Sequence, residues 1–207
     1  CCIIFYGYSK LYMGVNFMNI FYLSAYPNMC AEMHVDRHCS KMIIEYAQLM
    51  STAHRVLDGE EYTERSFKSG RKVKRWRLDG ELGRNREPYL YKACHVNHPS
   101  AIWVRQSAKN YRWLYELWSE LNSEYMYRYD KDEPHMSFRK LDSLLRQTPR
   151  NLPEGVFTEP TQAMPDDVKN EESSVLAYRE YYIKYKQHLA SWKKREMPHW
   201  MEASCAT

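Results

Sequence analysis

Residues 27–57, PNMCAEMHVDRHCSKMIIEYAQLMSTAHRVL, decide the fold class. Pro27 suits the first turn of a helix, and no Gly or further Pro follows before Leu57. Ala31, Val35, Met42, Tyr46, Leu49 and Ala53 recur at helical spacing. That spacing predicts one long helix from Pro27 to about Leu57, with an apolar face turned to a core.

Downstream the pattern changes. Residues 58–95 hold Gly59, Gly70, Gly80, Gly83 and Pro88 and show no helical period. They are expected to form an inserted β-hairpin or ordered loop, turning at Ser69-Gly70. Pro99 opens a second helix expected to run to about Tyr127, striped by Leu114, Leu117, Trp118, Leu121 and Tyr125. A short third helix is expected over 135–146, with Phe138, Leu141, Leu144 and Leu145. Pro149, Pro153, Pro160 and Pro165 mark an irregular segment, and a last helix is expected from about Glu171 to Lys194. The expected class is mainly α, a compact helical domain with a small β-hairpin or loop insert.

Upstream, Lys10 is the only charge in residues 1–26. Ser9, Asn16, Asn19 and Ser24 interrupt the apolar run, so no 18-residue apolar stretch exists and no membrane span is expected. The chain begins Cys1-Cys2, and residues 1–17 are expected to be a non-native or disordered extension preceding a start at Met18. From Met18, MNIFYLSAYP reads as a short buried strand or extended segment. Residues 18–200 are then one helical domain, with the insert at about 58–95, and 201–207 a tail.

A chain of 207 residues with 44% hydrophobic content can bury a core without disulfides or metals. Its net charge of +4 permits a polyanionic partner without requiring one. The aromatic share of 14%, with 18 Tyr and 6 Trp, suits both core packing and base stacking. Cys1, Cys2, Cys30, Cys39, Cys94 and Cys205 form no C-x-x-C pair, so free thiols in a reducing cytoplasm are expected. No cofactor is expected, and the oligomeric state is left open.

Four stretches carry candidate chemistry. In the first helix His34, His38, Lys41, Glu45, Gln48 and Thr52 step by 4, 3, 4, 3 and 4, which places them on one narrow stripe beside the apolar face. Imidazole, ammonium, carboxylate, amide and hydroxyl together suit acid–base work or the reading of a polar ligand. The alternative is a solvated face with two incidental histidines. His34 and His38 at i,i+4 could share a metal, but no third ligand is evident, so no metal site is expected.

The second stretch is HVNHPSAIWVRQS, residues 95–107. Asn97 or His98 would cap the helix that Pro99 begins, whose free N–H groups favour an anion; Arg105 and Gln106 follow on the same helix. Ordinary capping is the plainer reading, and Trp103 reads as core. The third is RSFKSGRKVKRWR, residues 65–77, with seven basic residues and no acid. Arg71, Lys72, Lys74 and Arg75 with Trp76 suit a phosphate backbone and a stacked base. Against this, Glu60, Glu61, Glu64, Asp79 and Glu81 flank the run. The fourth is FTEPTQAMP, residues 157–165, a restricted loop that says little alone. Tyr and Lys also crowd residues 177–200, which could pack or hold phosphate.

DRHCSKMIIEYAQ (Asp36 to Gln48), with the later NHP, resembles the pyrimidine-dimer DNA glycosylase/endonuclease V group. AQLMSTAHRVLDG, HVNHPSAIWVRQS and FTEPTQAMP resemble an uncharacterised family of tailed phages across Met18 to Trp200. The first resemblance implies a small helical enzyme that flips a nucleotide, attacks C1′ with an amine and uses a helix carboxylate. It would give Glu45 the carboxylate role, with His34, Arg37, His38 and Lys41 as phosphate or transition-state contacts. The N-terminal amine of such enzymes needs a small second residue, whereas Asn19 follows Met18; Lys41 is the substitute amine. A phage source would place the protein in the host cytoplasm.

Three readings follow: a glycosylase/lyase-like enzyme acting on damaged or modified pyrimidines, a non-catalytic module for DNA or RNA, and a small-molecule enzyme of nucleotide metabolism.

Overall fold

The computed structural model describes residues 18–205. Residues 1–17, expected as an extension, and residues 206–207 of the tail lie outside them. The fold is mainly α with a two-stranded antiparallel hairpin. In chain order the elements are α1 (Pro27–Met33), α2 (Asp36–Asp58), β1 (Glu60–Arg65), β2 (Lys72–Arg77) and α3 (Gly80–Arg86). Then come α4 (Pro99–Val104), α5 (Ala108–Arg128), α6 (Met136–Leu145), α7 (Ser174–Lys186) and α8 (His199–Cys205). Single 3-10 turns occupy Asp166–Val168 and Gln187–Leu189.

The core is built on α2 and α5. Cys39 lies against Leu121, Ile43 against Trp118 and His54 against Tyr111, so the two helices run antiparallel. Both expected apolar faces are in this core: Ala31, Val35, Met42, Tyr46, Leu49 and Ala53, and Leu114, Leu117, Trp118 and Leu121. Trp103 and Trp118 are buried, and each such large side chain contributes on the order of 1.5–3 kcal/mol by leaving water. Their indole N–H groups donate to Thr158 O at 3.0 Å and Ile43 O at 2.7 Å, so neither burial strands a polar atom. The segment 18–24 is buried, as expected, but forms no strand and bends at Leu23, whose N–H donates to Phe21 O at 3.2 Å. The Phe21 N–H donates to Tyr46 Oη at 3.1 Å.

Three expected helices are shorter than the sequence pattern implies. The first is broken at His34 and Val35, both extended with ψ of 134° and 152°. Neither Gly nor Pro marks the break. Arg128 at the end of α5 replaces a local stop signal: its guanidinium donates to Glu32 O and His34 O, each at 2.7 Å. Asp36, which opens α2, accepts from Arg128 at 3.2 Å and from Ser191 Oγ at 2.6 Å. Carbonyls that an unbroken helix would pair internally are thus satisfied from a distant segment.

The second expected helix divides into α4 and α5. Ser107 caps α5 by accepting from the Asn110 N–H at 3.1 Å, and Asn110 Nδ2 donates to Trp103 O at 3.1 Å. The last spans only Ser174–Lys186, opened by the Ser173 cap. The insert matches its expectation, since β1 and β2 pair with Glu61 opposite Trp76, and Gly70 takes φ +66° in the turn. The short α3 completes it.

Candidate nucleic-acid interface

The hairpin has no second layer of its own, so one side chain of α2 anchors it. Arg55 is buried and donates to Trp76 O at 3.1 Å, Tyr91 O at 2.6 Å, Leu90 O at 2.9 Å and Glu87 Oε2 at 2.7 Å. Glu87 also accepts from the Leu78 N–H at 2.9 Å. One guanidinium thereby joins α2, the base of β2 and residues 87–91. A second tie comes from Thr52 on α2, whose Oγ1 accepts from the Cys94 N–H at 3.2 Å.

These ties leave an open groove of about 570 Å3 between β2 and residues 93–98. Lys74, Arg75 and Trp76 line one side, and Cys94, His95, Asn97 and His98 the other. The structure therefore brings two of the sequence-predicted clusters together. Lys74 pairs with Glu61 at 2.8 Å and Arg75 with Glu64 at 2.8 Å across the hairpin. Arg75 holds the Glu64 carboxyl below its usual pKa. The flanking acids therefore offset the charge of the groove. Burial and the neighbouring His95 lower the pKa of His98.

Other predicted residues fall elsewhere. Helix α4, at whose start an anion site is expected, has only six residues. His98 Nδ1 accepts from the Ser100 N–H at 3.2 Å, an ordinary cap. Arg105 turns back to donate to Val96 O at 2.9 Å and braces the loop. Gln106 is exposed at the corner between α4 and α5, outside the groove lining. Arg37 is exposed on the first turn of α2. Arg71 and Lys72 lie at the hairpin tip.

The polar stripe of six is divided by the break at His34. His34 Nδ1 donates to Cys30 O at 2.7 Å, and Nε2 lies 3.4 Å from Tyr46 Oη. His38 Nδ1 is 2.7 Å from Tyr182 Oη, and its ring stacks on Phe21 at 4.3 Å. Burial lowers the pKa of His34 to about 4 and of His38 to about 2. Both are neutral core groups near neutral pH, which corrects the expectation of one polar stripe beside the apolar face. Thr52 is buried too, holding Cys94.

Lys41 and Glu45 do remain together on α2, with Nζ 3.0 Å from Oε1. Glu45 Oε2 is buried without a hydrogen-bond partner. Lys186 of α7 completes this corner: burial first, and then Lys41, lower its pKa, while Glu45 raises it. The sequence reading did not join Lys186 to α2, because α7 meets α2 only through the tertiary fold. It also passed over Arg55, whose role depends on carbonyls of the insert.

Among the described residues no group of three or more His, Cys, Asp or Glu is placed to hold a metal ion. No described helix is long and apolar enough to cross a membrane. Neither family models, curated proteins nor solved structures match the chain.

Proposed function

We propose that the protein binds nucleic acid, DNA in the first instance, along the groove between β2 and residues 93–98. One observation carries the reading: two stretches remote in sequence line one open groove with Lys74, Arg75, Trp76, Asn97 and His98. Cations position a phosphate backbone, an aromatic ring stacks a base, and an exposed amide supplies both a donor and an acceptor. The cross-strand pairs of Lys74 and Arg75 are solvent-accessible, so phosphate can replace Glu61 and Glu64 at small cost.

The test is fluorescence anisotropy with labelled duplex and single-stranded DNA and RNA at several salt concentrations. Binding should weaken steeply with salt, and Lys74→Ala with Arg75→Ala should lower the salt slope by about 1.5–2. Affinity indifferent to both salt and these substitutions would sink the proposal.

A second reading, glycosylase/lyase-like chemistry on damaged pyrimidines, draws on the Lys41–Glu45–Lys186 corner. Glu45 and Thr52 are seven residues apart and share a face of α2, and Thr52 holds the groove loop at Cys94. An amine beside a carboxylate is the pair such chemistry uses. His34 and His38 have no part in this version. Borohydride trapping on ultraviolet-irradiated duplex tests it: absence of any covalent adduct, with salt-dependent binding intact, leaves the binding module alone.

A further inference from the structure

At the hairpin tip Phe67 is 105% exposed, a ring with no packing partner on a six-residue turn between Arg65 and Lys72. The turn does not depend on that ring. It is closed by the Ser66 N–H donating to Arg71 O at 2.8 Å and the Gly70 N–H to Ser66 O at 2.7 Å. Gly70 at φ +66° supplies the strained position. Turn chemistry favours small polar residues, so a phenylalanine here is not explained by the local fold.

Charge is graded along the same hairpin. Toward its base, Lys74, Arg75 and Arg77 are paired with Glu61, Glu64 and Asp79. At the tip Arg65, Lys68, Arg71 and Lys72 have no acidic partner among the described residues; Arg65 donates only to Gly70 O, at 3.3 Å. The uncompensated positive charge of the hairpin therefore surrounds its most exposed aromatic ring, whereas Tyr62, the other exposed ring, lies toward the base under Arg77. Five residue steps lead from Arg71 to Trp76, on the order of 17 Å, which matches about five base steps along a duplex axis.

We propose that the tip is a stacking wedge for an unpaired base: Phe67 covers the base, and Arg65, Lys68, Arg71 and Lys72 hold the flanking phosphates. The wedge rests on the nucleic-acid reading of the groove and names its preferred substrate as strands with an unpaired or unstacked base. An anionic lipid surface also attracts cations beside an aromatic ring. Membrane insertion, however, needs a broad apolar face, and the neighbours here are Ser66, Lys68, Ser69 and Gly70.

The test compares intact duplex, duplex with a single-base bulge and single-stranded DNA, using full-length protein, its Phe67→Ala variant and a variant with the four tip cations changed to Ser. Phe67→Ala should lose about tenfold affinity for bulged and single-stranded DNA and less than about twofold for duplex, with the salt slope unchanged. The four-Ser variant should weaken all three and lower the slope by roughly 3. Circular dichroism should be the same for all proteins. Equal loss on all three DNAs, or none, with Phe67→Ala overturns the wedge and leaves the groove reading standing. No binding by the unaltered protein overturns both. Phosphatidylserine vesicles that bind the protein through Phe67, with no base-dependent effect, would replace the wedge by a membrane contact.

Discussion

The N-terminal half of α2 and the hairpin of β1 and β2 carry the same kinds of residue, yet the fold treats them oppositely. At the break before α2 and on its first turn, His34 and His38 find partners in Cys30, Tyr46 and Tyr182 and enter the core as neutral rings. On the hairpin, no layer covers the strands, and the cations stay in water. Polar residues at regular spacing mark a face; only the partners supplied by the rest of the chain decide whether it is buried. A histidine can be satisfied inside by one or two hydrogen bonds, whereas an unpaired ammonium or guanidinium cannot.

The sharpest way to break this contrast is to charge the buried rings. His34, His38 and His54 have pKa values lowered to about 4, 2 and 3, mainly by burial. Arg128 adds to the lowering at His34 and Arg86 at His54, while Glu124 opposes it at His34. In the unfolded chain each titrates near 6.5, so the unfolded state binds more protons below that pH. Stability is full above about pH 6.5 and falls as pH drops toward the folded values. From pH 7 to pH 5 the expected loss is roughly 2 kcal/mol per ring, about 6 kcal/mol together. Urea unfolding at the two pH values measures it; an unchanged midpoint would mean that the rings are accessible, and the contrast with the hairpin would collapse.

Next in size is the anchor between the two regions. Arg55→Ala removes the guanidinium from the Glu87 carboxylate, which keeps the Leu78 N–H, and from the carbonyls of Trp76, Glu87, Leu90 and Tyr91. The expected cost is about 3 kcal/mol, from carbonyls left without a donor. Hydrogen exchange should show the loss concentrated at residues 72–91, with α5 protected until global unfolding. Uniform loss across the chain would show that the insert and the helical body unfold as one unit.

A smaller effect separates surface from core on the hairpin itself. Arg71→Ser with Lys72→Ser should leave the melting temperature within about 1 °C, because neither side chain has a partner among the described residues. DNA affinity at low salt should still fall severalfold, with the salt slope lower by about 1.5–2. A melting shift of several degrees would place these cations in the structure rather than at an interface.

The helical class, the two apolar stripes and the hairpin were legible because period and turn chemistry are local. The break at His34 was not, since its cap is Arg128, some ninety residues away. The division at Ser107 was legible in part: Ser107 three residues before Asn110 is a helix-start pattern, but the apolar run through Trp103 masked it. Of the candidate site, the basic run and the Asn97-His98 loop were visible separately. Their meeting in one groove depends on Arg55 and Thr52, which carry no motif. Phe67 carries no motif within the basic run, because exposure is a tertiary property.

The smallest expected change concerns the one piece of α2 that resembles a reactive site. Glu45 Oε1 meets Lys41 in an i,i+4 pair that is exposed at the Lys41 end and mostly covered at the Glu45 end, of a kind worth about 1 kcal/mol or less. Oε2 has no donor to lose. Glu45→Gln keeps the shape and removes the charge, so folding should change by less than about 1 kcal/mol, and DNA affinity by less than about twofold. If the corner is reactive, the same substitution should lower borohydride-trapped adduct by a factor of about 100 or more, since the carboxylate no longer stabilises a developing cation. Adduct lost with folding and binding kept would make α2 an active helix beside a binding hairpin. No adduct in either protein would make its whole polar stripe structural and leave function to the hairpin and groove.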